Sequence, residues 1–493
     1  MTTLAFARRV PAVAREGSGG PAWPEVAAFG IATLFGLALR LEITATGPAI
    51  RGLAILVALG AFVAAATRPS RMPLFLIAYL PYNHHFPVTP LPAFNLTNTL
   101  LLAAAAAWVS SRAKRRQRIA AGAMDAVVGV YVVFGFLGMV RAAEAWPLGF
   151  AIRDFKAWLH PVLFYLIVKG LLESRREAQT LLALILYGVF WVGLDVVLDG
   201  PDLAGKEFHD SRVGGILGQP NDMGAFMAYY GSAMLACFLR PPGRRAGRWV
   251  YLAGFALMVR AAFYTYSRGA YLSLAAAAAT MLVVGNPLLL GVGGALAVVG
   301  GAGLLPESVS NRLTITGSTR TDESDGEIFE SASPDELDPS LERRLMLWNG
   351  ARGMIAANPL RGVGLGRFRW EIDGYVDQPL GPNEARDAHN AYLLTAAELG
   401  VPALLTMIVL LLASSGHALR IYFTRRTRID RSVALALLGT VTAVCVSCMF
   451  GSRFSQDGVI GYYWVLLATL VVVGRLPRPD RKRPAGVQGR VAG

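Results

Sequence analysis

Charge is what this sequence has least of. Only 16% of its 493 residues are Asp, Glu, Lys or Arg, against roughly a quarter in a soluble domain, while 54% are hydrophobic. A chain so composed cannot clothe itself in charge, and it reads as an integral membrane protein. Cysteine is scarce as well: Cys237, Cys445 and Cys448, all inside apolar stretches, support neither a disulfide framework nor a thiolate metal site. Cys445 and Cys448 stand three apart on one helical face and read as packing. No zinc spacing or serine triad is spelled out, so neither a metal nor another cofactor is expected. Acidic residues are outnumbered 33 to 47 by Lys and Arg. In a soluble protein that excess would suggest nucleic acid; in a membrane protein topology accounts for most of it, and no nucleic acid partner is expected.

What the chain has instead is a series of long apolar runs rich in Leu, Val, Ala and Gly. Helices satisfy their own backbone hydrogen bonds where lipid offers no partner, whereas a spanning β-barrel would show short alternating segments. The fold class expected is therefore all-α and polytopic. Candidate spans lie at about 26–40, 52–66, 72–82, 96–110, 124–140, 157–172, 178–198, 222–239, 249–266, 269–285, 287–305, 390–414, 432–450 and 458–474. Several, notably 72–82, fall short of the ~20 residues of a straight span, which leaves 12 to 14 transmembrane helices. With the N-terminus inside and strict alternation, the predicted inside segments hold 28 Lys and Arg against nine in the short outside loops. That asymmetry predicts both termini inside and the long polar interval 306–389 outside. The first 25 residues carry Arg8, Arg9 and Arg15 but no signal-peptide core, so the first helix is expected to double as targeting signal. The resulting organisation is an inside tail (1–25), a helix bundle (26–305), a large outside loop (306–389), C-terminal helices (390–474) and a basic inside tail (475–493).

The long loop opens with an acidic stretch, 322–338, read as a mobile segment. Leu341 to Ala357 then places Leu345, Leu347, Trp348, Met354 and Ile355 among Arg343, Arg344 and Arg352, the pattern of an amphipathic helix at the membrane surface. Asn358-Pro359 stops it, because the residue before a proline is steered away from helix. Gly362, Gly364 and Gly366 resemble a phosphate nest, but no Lys-Ser/Thr follows them, so a P-loop is not supported.

Polar groups converge on the outer face from three segments. Arg212 lies in an outside loop, followed by Gly214, Gly215 and Gly218, that runs into the helix near residue 222; a permanent cation beside small residues and helix amides suits an anion, or else the loop is simply solvated and capped by Asn221 or Asp222. Arg268 sits in the hinge Tyr264-Thr265-Tyr266-Ser267-Arg268-Gly269, where it either grips phosphate with its planar fork or snorkels to the interface. His389 stands beside Arg386 and Asp387 at the entrance to the next helix. As a neutral imidazole it can take a proton from a hydroxyl, oriented by Asp387, Asn390 or Glu398; the alternative is a plain cap by Asp387 or Asn390. His84-His85 reads as surface, and Asp195, Arg260 and Glu398 as internal pairing residues.

Taken in order, Gly218-Gln219-Pro220-Asn221, Ser267-Arg268-Gly269, Arg343 with Trp348, Asn358-Pro359-Leu360-Arg361-Gly362-Val363-Gly364-Leu365-Gly366 and His389-Asn390-Ala391-Tyr392-Leu393 with Glu398-Leu399-Gly400 resemble the O-antigen ligase and polymerase superfamily over about residues 205–405. The resemblance implies a metal-independent glycosyltransferase of the bacterial inner membrane with its large loop periplasmic. The donor would be a polyprenyl-diphosphate-linked glycan, and the acceptor a lipid A core, another glycan or a protein hydroxyl. It further implies His389 as general base, Arg212 and Arg268 as ligands of the donor diphosphate, Arg343 and Arg386 as further anion or glycan contacts, and Asn390 as a partner that positions the histidine. A ligase is the first expectation and a repeat-unit polymerase the second. A polyanion transporter fits less well, since the suggestive charges gather at the outer ends of the spans rather than at the midplane.

Overall fold

The computed structural model describes residues 23–44, 47–90, 94–115, 121–200, 212–288, 339–377, 380 and 387–477. The acidic stretch 322–338, the candidate span 287–305 beyond residue 288, tail residues 1–22 and 478–493, and Arg386 lie outside the described residues. Within them the architecture is helical throughout. The helices are α1 (Trp23–Arg40), α2 (Pro48–Thr67), α3 (Pro73–Tyr79), α4 (Leu96–Arg115), α5 (Ala123–Ala143), α6 (Leu148–Leu171), α7 (Arg175–Asp199), α8 (Pro220–Leu239), α9 (Arg248–Tyr264), α10 (Arg268–Gly285), α11 (Pro339–Ala357), α12 (Phe368–Glu371), α13 (Ala391–Leu399), α14 (Val401–Thr424), α15 (Arg428–Ser447) and α16 (Asp457–Arg475). Seven of them, α2, α5, α7, α10, α14, α15 and α16, are long and apolar enough to cross a membrane. The chain is a multi-pass membrane protein.

Position in the bundle follows from how the apolar residues are distributed around each helix. Every residue of α16 from Val459 to Val473 is buried, which is what a helix hydrophobic all round requires when it forms the centre of a larger assembly. By contrast α5 buries only Met124, Val128, Tyr131, Gly135, Gly138 and Ala142, a stripe spaced alternately four and three residues. Val130, Val133, Phe136, Leu137 and Val140 on its other faces are exposed, as a lipid-facing helix demands. Small residues let the helices approach closely: a methyl group at Gly36, Gly135 or Gly170 would strike the indole of Trp191, Trp158 or Trp108.

Two expected spans take a different form. The stretch 72–82 is the seven-residue α3 followed by the tight turn Leu80–Tyr82, with every residue of both buried; α3 is about 10 Å long, too short to span a bilayer as a single straight helix. The stretch 390–414 is broken at Gly400, whose φ of +87° separates the short α13 from α14. Only α14 has spanning length, and α13 is left to carry loop residues against the bundle.

Candidate active site

The loop helix α11 forms over the expected stretch, and its inner side joins a cluster with Phe368, Ile372 and Ala388. Leu347, Ala351 and Met354 form the buried stripe, while Leu345 is exposed. Trp348 donates its indole N–H to the carbonyl of Ala388 at 2.8 Å, which fixes the residue immediately before His389. Past Asn358-Pro359 the glycine run forms no anion nest. Gly362, Gly364 and Gly366 have φ of +62°, +112° and +77°, but the amides around them are spent inside the protein: Val363 donates to Ala397, Gly364 to Glu398 and Leu365 to Gly138. The Glu398 carboxylate accepts from the amide of Phe368 at 3.1 Å. The run is a clasp that ties the loop to the end of α13 and to α5, and Glu398 serves backbone there instead of pairing with a cation.

His389 itself is held in the left-handed region, φ +46°. The Asn390 side chain accepts from the amides of Tyr392 and Leu393 at 3.0 and 3.1 Å, so it caps α13. Asp387 accepts the amide N–H of His389 at 3.1 Å, and its second oxygen lies 3.9 Å from the imidazole Nδ1. Asp387 therefore fixes the backbone of His389 and places a negative charge near its ring, and Asn390 caps the helix behind it. The imidazole, with 32% of its side chain exposed, titrates below the ordinary 6.5. Burial is the main cause; Asp387 opposes it, Arg344 and Arg453 reinforce it, and Asp222 opposes it again.

Two of those partners went unassigned in the sequence. Arg344 is the half-buried neighbour of the exposed Arg343. It lies four residues before Trp348, on the same side of the helix, and its charge acts on His389. Arg453 belongs to residues 448–453, which leave the end of α15 and reach every part of the site. The carbonyl of Cys448 accepts the amide of Ala391 at 2.8 Å. Phe450 lies against Gly269, where an added methyl would come within 3.1 Å of its Cβ. Arg453, its side chain only 7% exposed, bonds Asp222 through Nε at 2.5 Å. The signal for Arg453 is a cation in a short connection between two largely buried helices.

The first turn of α8 links this end to the arginines expected to hold an anion. Asn221 accepts from Nη2 of Arg212 at 2.9 Å, and the Arg212 Nε donates to the carbonyl of Thr265 at 3.2 Å. Val213 donates to the Tyr264 carbonyl, so the Arg212 loop and the 264–268 hinge are laced together. Arg268 opens α10 directly after Ser267. Tyr266, like His389, has positive φ; besides these the only other non-glycine residue so held among the described residues is Glu42. Such backbone conformations cost of order 1–3 kcal/mol and cluster at functional sites. Two of the three flank the neighbourhood of His389, where Asp387, Arg344, Arg453 and Asp222 lie, with Arg212 tied to Asn221 next to Asp222 and Arg268 following the hinge.

Fold and site together define a membrane-embedded helical protein with a histidine and several guanidinium groups gathered where α8 and α10 begin and α15 ends. Residues 253–408 match the family described as O-antigen ligase, which places this stretch in the O-antigen ligase superfamily. The matched stretch includes Arg268, Arg344 and His389 and excludes Arg212 and Arg453. No curated protein matches the chain.

Proposed function

We propose that the chain transfers a glycan from a polyprenyl-diphosphate carrier to an acceptor hydroxyl, as a ligase first and a repeat-unit polymerase second, at the periplasmic face of the bacterial inner membrane. In this reading the neutral imidazole of His389 accepts the proton of the acceptor hydroxyl as its oxygen attacks the anomeric carbon. The bond from that carbon to the diphosphate oxygen breaks, and polyprenyl diphosphate leaves with the electron pair. Negative charge grows on the departing phosphate, and fixed guanidinium groups in a water-poor cleft stabilise it most in the transition state. Arg212 and Arg268 take that role, Arg344 replaces Arg343 beside the base, and Arg386 remains a proposed glycan or anion contact. The observation that carries the reading is the convergence of His389 with arginines from three separate segments inside a chain that matches the O-antigen ligase family.

The bundle is proposed to cross the membrane 12 to 14 times with both termini cytoplasmic, the seven apolar helices supplying part of that number. Deleting the gene and characterising the glycans left on the lipid carrier tests the reaction. Long unligated chains indicate a ligase and single repeat units a polymerase; an unchanged glycan profile contradicts both.

A further inference from the structure

Arg453 is a buried cation with most of its hydrogen-bonding capacity unspent. A guanidinium has five N–H donors, and among the described residues only the Nε–H of Arg453 finds an acceptor, the Asp222 carboxylate. The residue is 6% exposed. Gly451 makes the room: a methyl there would fall 1.8 Å from Nη1, so the guanidinium lies flat against a residue that has no side chain. Asp222 grips one edge and fixes its plane, leaving the Nη edge as a preset fork of the kind that matches phosphate oxygens.

We propose that Arg453, aimed by Asp222, is a further ligand of the donor diphosphate, binding its oxygens through the two Nη nitrogens. This rests on the transferase reading above. Consecutive residues of one helical turn, Asn221 and Asp222, hold Arg212 and Arg453 respectively. Across the constellation the cations Arg212, Arg268, Arg344 and Arg453 face the carboxylates Asp222 and Asp387, a surplus of positive charge that complements a diphosphate. A phosphate on the acceptor has the same chemistry, and the experiment separates the two sources.

The test is binding of glycan-free polyprenyl diphosphate to the purified full chain in nanodiscs, followed by the ligand's shift of the thermal unfolding midpoint, alongside donor and acceptor KM. Arg453→Gln is expected to weaken diphosphate binding at least tenfold and raise donor KM while leaving acceptor KM unchanged. Arg453→Lys, which keeps the charge without the fork, should fall between; it carries the test if Arg453→Gln shows no cooperative unfolding. Diphosphate binding as tight in Arg453→Lys and Arg453→Gln as in the wild type overturns the proposal, and so does a rise in acceptor KM alone. His389→Ala separates this from the transferase reading: loss of transfer with diphosphate binding intact upholds that reading whatever Arg453 does, and transfer that persists in His389→Ala refutes it without touching the binding result.

Discussion

In the proposed reaction His389 is the base, and its surroundings make a prediction about pH. Burial and the two arginines Arg344 and Arg453 hold the imidazole below 6.5 against the pull of Asp387 and Asp222. A base must be neutral, so transfer should be level above neutrality and fall on the acid side, with an apparent midpoint below 6.5. Removing a neighbouring positive charge makes protonation easier. Arg344→Gln should therefore shift the acid limb of kcat/KM to higher pH, whereas Arg343→Gln, on the exposed face of the same helix, should leave it in place. A pH–rate profile of the two variants checks this, and identical profiles would remove Arg344 from the site. Sequence pattern singled out His389, Arg212 and Arg268 as candidates, since each is an isolated cation or imidazole in a short polar break. It chose Arg343 over Arg344 because the two differ only by a 100° rotation about the helix axis, which is settled by the packing of Leu347 and Trp348. Arg453 escaped for a related reason: its importance comes from Asp222, 231 residues away in the chain.

At the scale of elements, the loop helix and the glycine clasp set the position of the base from two sides. Trp348 reaches the carbonyl of Ala388 from α11, while the clasp fixes the far end of α13 through Ala397 and Glu398. Loss of one such hydrogen bond is worth ~1 kcal/mol, so Trp348→Phe should lower kcat roughly fivefold with donor KM little changed. Gly364 has φ +112° and a methyl there would lie 2.8 Å from the backbone of Ala142. Gly364→Ala should then cost at least about 1–3 kcal/mol and lower the unfolding midpoint, while Gly374→Ala, with nothing within 4 Å of the added methyl, should stay within ~0.5 kcal/mol. Equal stability of the two variants would mean that the clasp does not hold the loop. The helix Leu341 to Ala357 and its stop at Asn358-Pro359 were legible from periodicity and from proline chemistry. The clasp was not, because three glycines in alternation suit an anion nest as well as a close backbone approach, and only the partners of their amides distinguish the two.

For the whole molecule, composition alone identified a helical membrane protein, and long apolar runs located most of its helices. Charge asymmetry gave an orientation, and the same arginines also tie helices together: Arg175 bonds Asp430 at 2.9 Å and Lys169 reaches Asp125 at 2.6 Å. The form of segment 72–82 was not legible in hydropathy, since a short helix buried by protein and a short helix buried by lipid have the same composition. Orientation is testable by labelling. A cysteine at Gly374, exposed beside α12, should react in intact cells with a membrane-impermeant maleimide, and one at Ala246, exposed between α8 and α9, should react only after the membrane is opened. The reverse pattern would invert the proposed topology.

The account stands on His389 and the arginine cluster forming one transfer site, and reconstituted chemistry addresses that directly. The measurement is formation of the glycosidic product by the purified chain in liposomes supplied with polyprenyl-diphosphate-linked glycan and acceptor, comparing wild type with His389→Ala and Arg268→Ala. The expected result is transfer by the wild type, with release of one polyprenyl diphosphate per bond formed, and a loss of at least a hundredfold in each variant, the lower bound of what a positioned general base contributes. Transfer that survives both substitutions, or movement of the glycan across the membrane without a new covalent bond, would contradict it.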